Sequence, residues 1–244
     1  SFALQIFAAR EAVFKILAKE SLSIHEKLIV ILDMGSKIQQ CINTDEYDNI
    51  KSVVNDYLKE GIAHTLDETR NLSDSGQFED ISLQQGIRQI LYPYEEMEVL
   101  NPEWEVILKD IIDSLFEQMS DEEYNILNEE FGTYMVSRAY EYRQLLEYLV
   151  FRYFAKSIYD YDFLGKCQML VTNFFVIRQM DIIRWLDNHR EYSFKDRMDV
   201  VHIFSRQVEY SEDNIENLYE DFIFDDIFKT DSLIAILWID SENI

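Results

Sequence analysis

The sequence predicts an all-α protein, a multi-helix bundle of about eight to ten helices with no sheet. The 244 residues include only 6 glycines and 2 prolines, and the turns of β-sandwiches and doubly wound sheets consume both residue types. Apolar residues recur at helical spacing along most of the chain, and no segment alternates long enough to predict a strand. A hydrophobic content of 48% excludes a disordered chain.

Local signals predict where the first helices begin. The stripe of apolar residues in Phe2–Glu20 is typical of an amphipathic helix, and Ser23–Glu26 has the pattern of a capping box that opens the second. Thr44–Glu46 supplies side chains that can cap a third. The N-terminal part of the chain is therefore expected to fold as consecutive helices.

A change in pattern near residue 72 predicts a boundary. Leu72–Gly76 is the strongest loop signal of the chain, and the longest irregular stretch is expected between Gly61 and Ile81. We therefore predict an N-terminal helical subdomain over residues 1–72 and a C-terminal helical domain over residues 73–244, with one continuous domain as the alternative.

The later helices are each opened by a capping residue or closed by proline or a loop. The first is a helix over Ile81–Tyr92 stopped by Pro93, and the second is capped at Asn101–Pro102. The third is opened by Ser120–Glu123 and runs to about Phe154 with a break near Gly132, and the fourth is capped by Asp160–Asp162 and ends around Asn188. The fifth is opened by Ser193–Asp196 and continues through Phe222, and a short last helix covers Asp231–Trp238.

The formal net charge of -25 limits the classes of partner. Such a surface repels nucleic acid phosphates and anionic lipids. It suits a basic protein partner. The alternative is that the acidity only keeps a large helical surface dissolved. We expect no nucleic acid and no membrane partner.

The two cysteines, Cys41 and Cys167, predict buried free thiols and a cytoplasmic location. Neither belongs to a Cys-x-x-Cys pair, so no metal site is expected from them. The longest apolar segment, Phe163–Leu186, contains charged residues and predicts a buried helix, not a membrane span.

Polar residues near the C-terminus form a candidate site. His202, Arg206 and Glu209 recur at i, i+4 and i+7, which places all three on one face of a helix. The stripe is either the wall of a groove or an ordinary solvated face. Tyrosines between residues 134 and 161 offer either cation–π contacts or partly buried packing surface.

Three segments carry a family resemblance. Phe7–Glu11 with Leu22–Leu28, then Leu145–Phe154, then Ser205–Ser211 occur in the order and roughly the spacing of motifs in the flagellin lysine-N-methylase family, which the chain resembles. The resemblance covers most of the chain. Two positions depart from it, since Tyr210 stands where the family has histidine and Glu147 where it has asparagine.

The resemblance implies a bacterial protein lysine N-methylase whose basic substrate is flagellin and whose methyl donor is S-adenosylmethionine. The family's iron–sulfur cluster is expected only in a cysteine-rich segment preceding Ser1, so we expect this chain alone to be inactive. A non-catalytic scaffold that binds a basic partner is the alternative. The family-motif candidates are Arg152, His202, Ser205, Arg206, Glu209 and Tyr210.

Overall fold

The structure is a computed structural model that describes residues 1–74 and 81–242. The all-α prediction is confirmed, because the described residues form helices and no strand. The α-helices are α1 Phe2–Leu17, α2 Ile24–Asn43, α3 Ile50–Asp56, α4 Ile62–Asp74, α5 Leu83–Glu95, α6 Pro102–Ile111, α7 Asp121–Met135, α8 Ala139–Tyr153, α9 Ser157–Asp160, α10 Phe163–Asp187, α11 Phe194–Phe204, α12 Glu212–Phe224 and α13 Thr230–Glu242.

Several helices run into short segments of other helical type. The π-helical segments are Tyr57–Gly61, Ile112–Glu117 and Ser205–Glu209, and the 3-10 segments are Tyr47–Asn49, Val136–Arg138, Phe154–Lys156 and Asp226–Phe228. None of the described helices combines the length and apolar content needed to span a membrane.

Three predicted capping boxes are present, whereas the cap predicted at Thr44–Glu46 is not, because the Thr44 hydroxyl donates to the carbonyl of Gln40 at the end of α2 and α3 has no side-chain cap. Ser23 and Ser193 each form a capping box, with Glu26 and Asp196 respectively. Ser120 does the same with Glu123, whose pKa is lowered because its carboxylate accepts the backbone N–H of Ser120 at 2.8 Å. Local chemistry therefore determines where these helices begin.

Four predicted boundaries are wrong. The helix expected from Ser193 through Phe222 ends with the π segment at Glu209, and a separate helix, α12, begins after its N-cap Ser211. Residues 62–74 form helix α4 where we expected irregular chain, while residues 75–80 of that expected loop lie outside the described part. Helix α5 continues past Pro93 to Glu95, because a proline in the last turn removes only one hydrogen bond. The break predicted near Gly132 lies instead at the 3-10 turn Val136–Arg138.

The described chain groups into two compact units, each discontinuous in sequence. Unit 1 comprises Ser1–Glu79, Met135–Val171 and Thr230–Glu242, and unit 2 comprises Asp80–Tyr134 and Thr172–Lys229. The sequence predicts a single division after residue 72, which lies close to the first of these boundaries. It does not predict that Met135–Val171 and Thr230–Glu242 belong to the same unit as the N-terminal helices.

In unit 1 the last helix packs along α2. The buried His25 imidazole of α2 pairs with the buried Asp240 carboxylate of α13, Nε2 to Oδ2 at 2.6 Å. The hydroxyl of Tyr57 donates to Asp33, and burial together with this bond raises the pKa of Tyr57 to about 12. Polar groups therefore pair inside this apolar core.

In unit 2 the core surrounds the C-terminal part of α10. Tyr94 donates its hydroxyl hydrogen bond to Asn173 Oδ1 at 2.7 Å, and burial raises the pKa of that phenol. The guanidinium of Arg178 donates to Asn128 Oδ1 at 3.0 Å. Arg197 forms a buried ion pair with Asp181 at 2.6 Å. These contacts fix the position of the C-terminal part of α10, which forms one wall of the groove described next.

Candidate functional site

A groove of ≈ 580 Å³ in unit 2 contains part of the predicted stripe. Three helical segments form its walls. Helix α6 contributes Glu103, Val106, Ile107 and Asp110, the end of α10 contributes Ile183, Arg184 and Asp187, and α11 with its π-helical extension contributes Asp199, His202, Ile203 and Arg206.

The spacing of the α6 residues explains their common direction. Positions 103, 106, 107 and 110 follow an i, i+3, i+4, i+7 pattern, which is one face of a helix. Helix α6 begins where Asn101 Oδ1 accepts the N–H of Glu103 at 3.2 Å, with Pro102 at the first helical position. The cap predicted from sequence therefore orients one wall of the groove.

The amide of Gln207 ties this wall to the π segment. Its Oε1 accepts the backbone N–H groups of Leu100 at 2.9 Å and Asn101 at 3.2 Å, and its Nε2 donates to the carbonyl of Glu98 at 2.7 Å. Asn214 reinforces the same loop by accepting the N–H of Glu98 at 3.0 Å. Both amides are buried. Sequence reasoning missed them, because neither residue type alone signals a long-range contact.

The groove has an excess of negative charge. Four carboxylates line it, from Glu103, Asp110, Asp187 and Asp199, against the two guanidiniums of Arg184 and Arg206. Asp199 is paired with the exposed Lys195. Glu103, Asp110 and Asp187 have no ion-pair partner among the residues the structure describes. A cation entering the groove is therefore attracted.

Two of the predicted stripe residues meet at the groove and the third does not. His202 and Arg206 line it, whereas Glu209 is buried and lies outside its lining. The cause is the π segment Ser205–Glu209, which holds more residues in its turn than an α-helix and shifts every later position out of α register. The i, i+4 part of the pattern therefore reaches the groove and the i+7 position does not.

The other candidates lie apart from the groove lining. Ser205 is half-buried at the start of the π segment, and Tyr210 is 76% exposed at its end. Arg152 belongs to unit 1, where its Nε donates to the hydroxyl of Tyr153 at 3.0 Å. The groove carboxylates themselves were not predicted, although the repeated acidic residues on α6 were a signal that could have identified them.

The structure offers no preformed metal site in the part that it describes, since no cluster of three or more His, Cys, Asp or Glu side chains could hold an ion. Cys41 and Cys167 are both buried, as predicted. Burial raises the pKa of both thiols, that of Cys167 strongly. Single cysteines on α2 and α10 do not fit an iron–sulfur cluster, which takes several thiolates at one site.

Comparison with known proteins gives one family. The model of the FliB lysine N-methylase C-terminal domain matches residues 10–236. Searches of the curated proteins and of the solved structures gave no match.

Proposed function

Because the chain belongs to the family of FliB lysine N-methylase C-terminal domains, we propose that it is the helical, substrate-engaging region of a protein lysine N-methylase that acts on flagellin. The match spans residues 10–236 and therefore both compact units. A bacterial cytoplasm is the location that this proposal implies.

The observation that carries the proposal is the acidic groove between α6, the end of α10, and α11. A lysine side chain has an apolar stem and a cationic tip. The groove offers the stem Val106, Ile107 and Ile203, and it offers the tip the unpaired carboxylates of Glu103 and Asp110. Its chemistry therefore complements the side chain that this family modifies.

Methyl transfer needs a lysine that is held in place and that has lost its proton. The carboxylates attract and orient the ammonium form. His202 is the imidazole in the groove lining, and an imidazole can accept a proton from an ammonium group. We propose that the α6 carboxylates bind and orient the ammonium, that His202 takes the proton as the amine forms, and that Arg206 orients an acidic or carbonyl group of the incoming protein.

The methyl donor that we propose is S-adenosylmethionine, which supplies an electrophilic methyl group when bound. No Phe, Tyr or Trp ring lines the groove against which adenine could stack. We therefore assign the groove to lysine, assign no described residue to the donor, and expect the chain alone not to transfer methyl groups.

The alternative is a non-catalytic scaffold for a basic protein, which the net charge of -25 also favours. The two functions differ in what the groove contributes. If the chain is a scaffold that attracts partners by its overall charge, its affinity does not depend on which carboxylates are removed. If the groove binds lysine, the affinity depends on the carboxylates that line the groove.

A binding titration with flagellin distinguishes them. We expect the Glu103→Gln/Asp110→Asn double variant to bind flagellin about tenfold more weakly, because two unpaired groove carboxylates are lost. The matched control is Glu105→Gln/Glu117→Gln, which removes the same charge from exposed positions outside the groove lining. It should bind within about twofold of the unaltered chain.

Salt and activity complete the test. Binding should weaken between two salt concentrations, since exposed charges are screened over about 10 Å at 0.1 M. Equal losses in the groove and control variants would support the scaffold and contradict the lysine groove. Methyl transfer to flagellin from labelled S-adenosylmethionine by this chain alone would contradict the proposal that this chain alone does not transfer methyl groups.

A further inference from the structure

A second recess in unit 2 is built around Trp185. It has a volume of ≈ 520 Å³ and lies between one face of α7 and the turn that follows α10. Glu129, Glu130 and Tyr134 line it from α7, and Arg190 lines it from the turn. None of these residues belongs to the groove lined by His202 and Arg206.

The walls of this Trp185 recess are aromatic and acidic. The rings of Tyr134 and Trp185 lie with centroids 5.6 Å apart and an interplanar angle of 47°, and Phe131 packs on Trp185 at 5.5 Å. Tilted aromatic rings beside carboxylates are the arrangement that binds alkylated ammonium ions. The recess is therefore chemically suited to a poorly hydrated cation.

A cation of this chain already occupies that position. The guanidinium carbon of Arg190 lies 5.2 Å from the centre of the Trp185 ring, and Nη1 pairs with Glu130 at 2.7 Å. The side chains of Arg190 and Glu130 are 55% and 43% exposed. An ion pair this exposed is weak, so an incoming cation can displace the guanidinium.

The backbone of the turn directs Arg190 toward the ring. His189 and Arg190 both have positive φ, 57° and 68°, in the left-handed region that non-glycine residues rarely adopt. The N–H of Arg190 donates to the carbonyl of Trp185 at 2.7 Å, which fixes the side chain beside the indole. Release of Arg190 from the ring leaves this backbone bond intact.

Trp185 also carries an unmet hydrogen-bond donor. Its side chain lines the recess and the residue is 3% exposed, yet its Nε1–H has no acceptor in the described ranges 1–74 and 81–242. Buried donors without an acceptor are rare. A peptide that places a cation on the ring can offer a main-chain carbonyl to this donor.

We propose that the Trp185 recess binds an N-methylated lysine of a protein partner, with Arg190 as the group that the ligand displaces. This inference rests on the proposed function, because methylated lysine is the product of that reaction. The ring faces favour the methylated ammonium, which is poorly hydrated, and Glu130 neutralises it once Arg190 has moved. The recess would thus hold a modified partner while the groove takes the next lysine.

The test is a titration of the 244-residue chain with three short peptides that share one sequence of uncharged residues and contain ε-N-trimethyllysine, lysine or norleucine at one position. We expect the trimethyllysine peptide to bind most tightly and the norleucine peptide at least about tenfold more weakly, because norleucine has no charge. Equal binding of all three would overturn the proposal.

Variants identify the recess as the site. Arg190→Ala should tighten binding of the trimethyllysine peptide about threefold or more by removing the competing cation, whereas Lys229→Ala, an exposed paired cation elsewhere in unit 2, should not. Tyr134→Leu should weaken binding about tenfold, and Tyr134→Phe should weaken it less, because it keeps the ring and loses only the hydrogen bond that the Tyr134 hydroxyl accepts from the N–H of Tyr192 at 2.9 Å. Unchanged affinity in Arg190→Ala would contradict displacement.

The groove double variant Glu103→Gln/Asp110→Asn separates the two proposals. Its affinity for the trimethyllysine peptide should equal that of the unaltered chain. If flagellin binding ignores the groove charges while this peptide still binds, the proposed function fails and the recess stands. If the peptide loses affinity in the groove variant, the recess is not its site.

Discussion

The buried polar pairs of unit 2 depend on a few side chains. Asp181 is fully buried, pairs with Arg197 at 2.6 Å and accepts the hydroxyl hydrogen bond of Tyr192. The guanidinium of Arg197 also lies 5.3 Å from the centre of the Tyr192 ring. Desolvating two charges is costly, but the two charges are paired with each other, and the Tyr192 hydroxyl ties the carboxylate to the turn that precedes α11.

Removing one member of the pair should be severe. We expect Asp181→Ala to lower the free energy of unfolding by about 3–5 kcal/mol, because the buried guanidinium of Arg197 loses this ion pair. Urea unfolding followed by circular dichroism measures the change. The double variant Asp181→Leu/Arg197→Met should recover a large part of the loss, and equal stability of the single and double variants would show that the charge is not the cause.

At the scale of elements, α10 is the longest of the described helices, with 25 residues. Residues 165–183 are all buried, and the helix supplies its first part to unit 1 and the remainder to unit 2. In unit 1 it approaches α2 closely at Gly35, where an added methyl group would meet the Sγ atom of Cys167 at 2.5 Å. The glycine therefore serves helix contact and not turn formation.

Alanine at this position tests the contact. Helix propensity alone favours Gly35→Ala by about 1 kcal/mol, but the clash with Cys167 should make the variant less stable by about 1–3 kcal/mol. The measurement is a double-mutant cycle with Cys167→Ala in chemical denaturation. If the two substitutions are additive, the contact between Gly35 and Cys167 does not limit the approach of α2 and α10.

At the scale of the whole molecule, charge is the dominant feature, and the net value of -25 opposes a compact state. Asp221 on α12 is one carboxylate that is repelled by neighbouring carboxylates. Partial burial raises the pKa of its carboxyl, and the neighbouring carboxylates of Asp225, Glu96 and Glu220 raise it further. Its backbone carbonyl, which accepts the N–H of Asp225 at 2.9 Å, is independent of the side-chain charge.

A group whose pKa is raised on folding contributes stability at low pH that is lost as pH rises through the folded value. Asp221→Asn should therefore raise the melting temperature at pH 7 by about 1–2 °C and give no gain below about pH 4, where the carboxyl is protonated. Thermal unfolding across pH checks this. Glu216→Gln, which removes an exposed charge from the same helix, is the control, and an equal gain there would assign the effect to net charge.

The sequence predicted features that depend on residues close together in the chain and missed contacts between residues that are far apart in it. The capping serines, Asn101 and the buried thiols follow from local patterns and were correct. The α6 wall meets α11 across about a hundred residues through Gln207, and no local pattern reports that contact. Glu209 was assigned to the stripe by assuming an unbroken α-helix, which the π segment does not provide.

The last helix has a consequence for the order in which the protein can be assembled during synthesis. Unit 1 includes α13, and Asp240 must reach His25 across 215 positions of the chain. A ribosome makes α2 before α13, so the surface of α13 that packs along α2 emerges only after the chain of unit 2 that lies between them has been made. The nascent chain therefore carries α2, most of whose residues are buried in the folded protein, without the helix that packs along it until α13 has been made. Chaperone access to this early segment thus becomes part of how the fold is reached in the cell.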